Sequence, residues 1–289
     1  MKQSKYEKIW RKASKRSSKH TSYFQVYDNY FEQIETKDSI KILEIGVSTG
    51  GSIETTAKYF EDHQDITVVG LEYNPAAKTF TWDTDNICIE IGNAELEDTF
   101  KEIQRKHGQF DIVIDDGGHT NLQQLSCLLA CQTLLKPEGV LIVEDVQCSY
   151  LGEFGNPSKY SFISVAKKVV DSLNYRSAIV HGKQLKLNIR SVSFYTGIIV
   201  FQFDNEINEF KHKQIVNHPD LMGLEDYRFK AHPKRKINLL LKSELVMNLT
   251  RILKKIAPLH SILKIVIAQF NMPVSDKIKF RKISRQVFK

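Results

Sequence analysis

The chain has 289 residues, 42% of them hydrophobic and 26% charged, enough apolar material for one α/β domain with extensions or for two domains. It contains no apolar run long enough to span a bilayer, and the basic first twenty residues lack the apolar stretch of a secretory signal. The four cysteines (Cys88, Cys127, Cys131 and Cys148) show no zinc spacing, so a reducing, cytoplasmic setting is expected.

The net charge of +7 conceals an asymmetry: residues 1–20 carry +7, residues 21–233 carry −12 and residues 234–289 carry +12. Basic ends around an acidic middle point to an anionic partner. Residues 5–37 read as helical, with Tyr23, Tyr27, Tyr30, Phe31 and Ile34 recurring at three- and four-residue spacing as one aromatic face. Such a stripe is first of all a core contact, but Lys19, His20 and Tyr23 can instead close over a ligand. Residues 1–38 are therefore set apart as a basic, aromatic N-terminal segment with the character of a lid.

Residues 40–45 form a strand that runs into Gly46, Gly50, Gly51 and Ser52, and a helical pattern follows over 53–60. Strand, glycine turn and helix make a nucleotide-binding opening. Ser48 stands where a dinucleotide fingerprint needs glycine, and no Gly-Lys-Ser/Thr follows, so the turn suits a ligand with an adenosine and an amino-acid tail. The strand at 66–71 ends on Glu72, about twenty residues after the turn, where an acid accepts from both ribose hydroxyls. A third strand covers 86–91; Asn93 after it either reaches an adenine edge or makes the turn. A helix is expected over 95–106.

Residues 111–119 read DIVIDDGGH, a short β-branched run followed by Asp115, Asp116, two glycines and His119. A buried parallel strand has this composition, and in an open parallel sheet ligands collect beyond the carboxyl ends of the strands. Residues 122–135 read as a helix stopped by Lys136-Pro137-Glu138-Gly139, and the strand at 140–143 ends on Glu144 and Asp145. If these two strands are neighbours in a doubly wound sheet, Asp116, Glu144 and Asp145 converge. Three carboxylates in one cleft need a neutralising cation, and all-oxygen ligation suits a hard ion: Mg²⁺ first, then Mn²⁺ or Ca²⁺. Residues 148–155 form a loop facing the substrate side, 161–173 an amphipathic helix, and 191–203 a hairpin that closes the sheet with its turn at Thr196-Gly197. Beyond 205 a basic amphipathic helix over 237–256 and a basic tail over 277–289 suit an anionic membrane surface or a second subunit. Aromatic residues are sparse among these basic ones, so nucleic acid is not expected as a partner.

Four groups of residues carry a resemblance to a known family: Lys19-His20-x-x-Tyr23-x-x-x-Tyr27; Glu44-Ile-Gly-Val with Gly50-Gly51-Ser52; Asp115-Asp116-Gly-Gly-His119; and Glu144-Asp145 with Ser149-Tyr150. Together they resemble the class I S-adenosylmethionine-dependent methyltransferases, and more narrowly the metal-dependent sugar O-methyltransferases of the macrocin and mycinamicin type, over about residues 15–202. The resemblance implies a doubly wound, mostly parallel, Rossmann-like α/β sheet over 39–204 that ends in an antiparallel hairpin, with 205–289 outside it. It implies an S-adenosylmethionine site on Glu44, Gly46, Gly50, Gly51, Ser52, Glu72, Asn93, Asp115 and Tyr23. Metal ligation falls to Asp116, Glu144 and Asp145, the general base to His119, and substrate contacts to Tyr150 and His20. The sequence departs from the family at Glu72 and Asn93, where Asp is usual or frequent. The expected reaction is methylation of a sugar hydroxyl on a glycan, glycolipid or glycosylated natural product. A catechol-type phenol methyltransferase, a cephalosporin hydroxylase-like enzyme and a non-enzymatic cofactor-binding module at a membrane surface are the alternatives.

Overall fold

The structure is a computed structural model and describes residues 3–154, 159–175, 185–204, 217 and 274–286. The chain divides into two compact units, Met1–Ser177 with Gly182–Lys211, and Ala178–His181 with His212–Lys289.

The first unit is built on one seven-stranded sheet. Its strands are β1 (Ile40–Ile45), β2 (Ile66–Glu72), β3 (Ile87–Ile91), β4 (Phe110–Asp115), β5 (Leu135–Val143), β6 (Ile189–Phe194) and β7 (Ile199–Phe203), in the order β3-β2-β1-β4-β5-β7-β6. The first five pair in parallel, and β7 and β6 add the antiparallel hairpin expected at the end of the sheet. Runs of β-branched and aliphatic residues produce strands buried on both faces. Leu43, Val113 and Leu141 face a core with α4 (Glu97–His107), α5 (Asn121–Leu134) and α6 (Phe162–Tyr175). Ile42, Ile112 and Ile142 face the opposite core, made with α1 (Lys5–Trp10), α2 (Phe24–Phe31) and α3 (Gly51–Tyr59).

Register sets the position of the site. Ile45 pairs with Asp115, and Asp115 pairs with Val143. The next residues on three adjacent strands, Gly46, Asp116 and Glu144, therefore leave the sheet in one row. The backbone continues this alignment: Asp116 N–H donates to Ile45 O and Glu144 N–H to Asp115 O, each at 2.9 Å.

Two expectations are corrected. The stretch 5–37 is not one helix but α1 and α2, joined by a segment that lies against the glycine turn. Ser14 and Lys15 donate their backbone N–H groups to the Glu54 carboxylate at 2.9 Å, and these contacts hold the segment extended where the helix would have run. The aromatic stripe on α2 is core as expected: Tyr23, Tyr27 and Phe31 are buried, and Tyr27 stacks on Tyr6 with ring centroids 4.3 Å apart. Residues 136–139 follow the end of α5 at Leu134 as expected, but the strand after it starts earlier than 140: β5 begins at Leu135, paired with Phe110, and residues 136–139 bulge out before pairing resumes at Ile112–Val140.

In the second unit the described helix is α7 (Val274–Ser284), in which Ile278, Phe280 and Ile283 are exposed. They do not share one helical face, so α7 lacks the apolar stripe of an in-plane membrane helix. The expected helix over 237–256 lies outside the described residues. No described helix is long and apolar enough to cross a membrane.

Candidate active site

Beyond the carboxyl ends of β1, β2 and β4 the surface opens into a cavity of about 700 Å³, lined among others by Gly46, Ser48, Glu72, Asn74, Phe80 and Gly117. A second cavity of about 350 Å³ shares the Gly46–Thr49 turn and Asp116 with it and extends over His119, Glu144, Asp145, Lys19, His20 and Tyr23. The two are halves of one cleft around the glycine turn, one half apolar and long, the other crowded with charge.

The turn needs its glycines. Gly46 has φ +90°, and a Cβ there would lie 2.1 Å from Asp116 O. A Cβ on Gly51 would lie 2.4 Å from Lys15 O, so this position admits the N-terminal segment rather than a ligand. Glu72 has a role in the turn beyond the one expected. One carboxylate oxygen accepts from the N–H groups of Val47 and Ser48, both at 2.9 Å, and the other from Tyr73 and Asn74, both at 3.0 Å. Glu72 thus fixes the turn while it lines the larger cavity.

Other residues assigned to the cofactor sit beneath the cleft rather than on its wall. Glu44 is fully buried with neither carboxylate oxygen hydrogen-bonded, and burial pushes its carboxyl up to about 8. It belongs to the same face as Ile42, turned toward Tyr6 and Ser52. Asp115 is also buried, and burial raises it to about 7; its Oδ2 has no partner. Asn93 accepts from Glu95 N–H at 2.9 Å and makes the turn. Ser52, by contrast, lines the smaller cavity although it is buried at the start of α3, and Gly50 takes the left-handed conformation that begins that helix.

The acid cluster converges as the register requires. Asp116, His119 and Asp145 each present one ligand atom within 4.8 Å of the others. His119 Nε2 is 3.3 Å from Asp145 Oδ2 and 3.9 Å from Asp116 Oδ1, and its Nδ1 is buried without a partner. The helix start after it is capped by Thr120, whose hydroxyl accepts from Gln123 N–H at 3.2 Å, so His119 is not needed as a cap. Glu144 stands apart from this trio. It takes the ammonium of Lys19 at 2.6 Å and the hydroxyl of Tyr27 on the same oxygen. Burial pushes Glu144 up, and Lys19 and Tyr27 pull it back. On Asp145, hydrogen bonds from Tyr23 at 2.5 Å and Gln147 at 2.8 Å outweigh partial burial and hold the carboxyl below the usual range.

His20 lies at the exposed mouth of the cleft, 3.8 Å from Asp145. Tyr150 is half-exposed outside both cavities, with its ring near Lys167. Tyr23 reaches the acids rather than the larger cavity. Sequence reading gave Lys19, Tyr27 and Gln147 no specific part in the acid cluster; a lone lysine and a tyrosine in an apolar stripe carry no such signal. Three of the four non-glycine residues with positive φ among the described residues, Ser48, His119 and Asp145, line this cleft. Such conformations cost about 1–3 kcal/mol each and gather where a site dictates backbone direction.

Comparison with known proteins agrees with this geometry. Residues 43–146 match the sequence model of a family described as "Methyltransferase domain". The chain is 27% identical over 162 residues to demethylmacrocin O-methyltransferase of Streptomyces fradiae, covering 52% of this chain and 39% of that protein. It is 28% identical, with the same coverages, to mycinamicin VI 2''-O-methyltransferase of Micromonospora griseorubida. It thus spans about two fifths of the length of these curated relatives. Among solved structures, the MycE methyltransferase of the mycinamycin biosynthetic pathway, in complex with Mg, SAH and mycinamycin VI, superposes with a TM-score of 0.60 at 21% identity, covering 71% of this chain and 55% of that one. This likeness carries the fold, and the match to the methyltransferase-domain model lies on the strands and turns that form the cleft.

Proposed function

We propose that the protein is an S-adenosylmethionine-dependent O-methyltransferase that methylates a hydroxyl of a saccharide with the help of a divalent cation, Mg²⁺ first. The observation that carries this reading is the row Gly46–Asp116–Glu144: it sets a glycine turn and an acid cluster with His119 on two sides of one cleft.

The donors fit a hard cation. Asp116 and Asp145 converge, and with all three carboxylates ionised they and Glu144 total three negative charges against the single charge of Lys19, which leaves two for a divalent ion. Asp116 and Asp145 would hold the ion with Glu144 beside them. The larger cavity fits a nucleoside with a tail: it runs along the glycine turn at Gly46 and is walled by Glu72 and Phe80. When bound, the sulfonium supplies an activated methyl group and the cation supplies charge for a developing alkoxide.

The chain's own part is to align and to take a proton. The acceptor oxygen gains the methyl carbon as the carbon–sulfur bond breaks, and its proton passes to His119. His119 suits this task because Asp145 lies 3.3 Å from Nε2 and steadies the imidazolium once formed. The curated relatives named for demethylmacrocin and for the 2'' position of mycinamicin VI, and one named for a rhamnosyl tetracenomycin, support the saccharide class. The test is methyl transfer from S-adenosylmethionine to a panel of sugars and catechols, read by product mass, with and without chelator. Transfer to catechols alone would replace the saccharide reading, and full activity in chelator would remove the cation.

Peripheral contact of residues 234–289 with an anionic membrane rests on their charge. Cosedimentation with anionic liposomes that is unchanged on deleting them would dismiss it.

A further inference from the structure

Each of the three acids in the cleft accepts a hydrogen bond from one short stretch of the N-terminal segment. Lys19 Nζ donates to Asp116 Oδ2 and to Glu144 Oε1, both at 2.6 Å. Tyr27 donates to the same Glu144 oxygen, and Tyr23 donates to Asp145. Lys19 is 97 and 125 residues away in sequence from the acids it bridges, and its side chain is 1% exposed. An ammonium is not buried at that depth without compensation. Here the compensation is two carboxylate oxygens at 2.6 Å. The aromatic face of Tyr27, with its centroid 5.5 Å from Nζ, adds to this cage.

We propose that Lys19 is a positioning residue of the active site. Its ammonium is a permanent second cation of the acid cluster that ties the N-terminal segment to the ends of β4 and β5 and sets the cluster's remaining charge at the value one divalent ion neutralises. This rests on the reading of the cleft as a cation and methyl-donor site. Lys19 is closed off from solvent, so it acts on the acids and not on substrate. Without it, Asp116, Glu144 and Asp145 face one another with one more uncompensated charge, and the segment loses its deepest anchor. The geometry therefore assigns to residues 19–27 the role of a fixed wall of the cleft, where the sequence suggested a lid.

The experiment has two arms on the full chain, with Lys19→Met, Lys19→Gln and the charge-keeping Lys19→Arg beside the wild type. In the first, hydrogen exchange is followed in the metal-free proteins. Lys19→Met or Lys19→Gln should speed exchange at least tenfold in residues 14–23 and in the turns after β4 and β5, with the strands of the sheet and the affinity for S-adenosylhomocysteine within about threefold of wild type. In the second, binding of Ca²⁺ and of Tb³⁺ is measured on each protein. Losing a unit charge next to the site favours a trivalent ion over a divalent one whatever happens to either affinity alone, because the repulsion removed scales with the charge of the ion. The Tb³⁺-to-Ca²⁺ affinity ratio should rise about tenfold or more in the neutral variants and stay near wild type in Lys19→Arg. A general loss of structure would lower both affinities and S-adenosylhomocysteine binding together, without this split. Unchanged exchange in the segment and turns, or an unchanged ratio in the neutral variants, would overturn the proposal. If the wild type takes up neither ion, the cation reading fails by itself and the metal-free exchange decides the role of Lys19.

Discussion

Strand β4 carries a buried acid at each end, and the two could hardly be treated more differently. At its start, the Asp111 carboxylate is fully buried and accepts from Lys37 Nζ and Lys136 Nζ at 2.7 Å and from Lys41 N–H at 2.9 Å. These partners overcome its burial and hold its pKa below the usual carboxylate range. At the other end, Asp115 has an orphaned oxygen and a raised pKa, Asp116 shares Lys19 with Glu144, and Asp145 lies within reach of an underemployed histidine. The first end is electrostatically complete and can only anchor. The second keeps charge and hydrogen-bonding capacity in reserve, as a surface that must bind something does.

Breaking the reactive end should have the largest effect. His119→Ala removes the proposed proton acceptor, and turnover should fall by about two to four orders of magnitude while S-adenosylhomocysteine affinity stays within a few-fold. Steady-state kinetics and calorimetry check the two halves of that statement, and lost cofactor binding would make His119 structural. Gly46→Ala attacks the shared turn: a methyl group 2.1 Å from Asp116 O at φ +90° should cost at least a hundredfold in S-adenosylhomocysteine affinity, measured by calorimetry on folded protein.

Breaking the anchoring end should do the reverse. Asp111→Asn leaves two ammonium groups without their carboxylate and should lower stability by about 2–4 kcal/mol in urea denaturation, with turnover per folded molecule unchanged. Because the folded pKa of Asp111 is depressed, its stabilisation is present above the ordinary carboxylate range and is lost as pH falls through the folded value.

The smallest effect sharpens the contrast through pH. Glu44 and Asp115 are raised to about 8 and about 7, so folding favours their protonated forms. The stability tied to them is fully present below the usual carboxylate range and declines as pH rises toward those values. Glu44→Gln should flatten that decline between pH 5 and pH 8, seen as a smaller fall in Tm than wild type shows.

Much of the fold was legible because its strands are short runs rich in β-branched and aliphatic residues bounded by turn signals, and a run of that kind has few other places to go. The acids after β4 and β5 were legible for the same reason, since a strand end is a position in space once the sheet order is known. What escaped was decided by contacts distant in sequence. The segment between α1 and α2 is rich in serine, a weak helix former, and Glu54 claims two of its backbone donors. Lys19 has no neighbours in sequence that reveal its partners. Glu44 looked like a ligand because it precedes the glycine turn, yet strand alternation places it with Ile42, on the face turned away from Ile45, which lines the larger cavity.

The packing of the amino-terminal residues across the glycine turn bears on how the protein should be handled. Shortening it to the residues matched by the methyltransferase-domain model would strip off Tyr6, Tyr23 and Tyr27 and leave an aromatic hollow open to water above α3. It would also remove the only cation that the described residues contribute to the acid cluster by hydrogen bond. A fragment that keeps this cleft intact has to start well upstream of the first strand, and an affinity tag is safer away from that end.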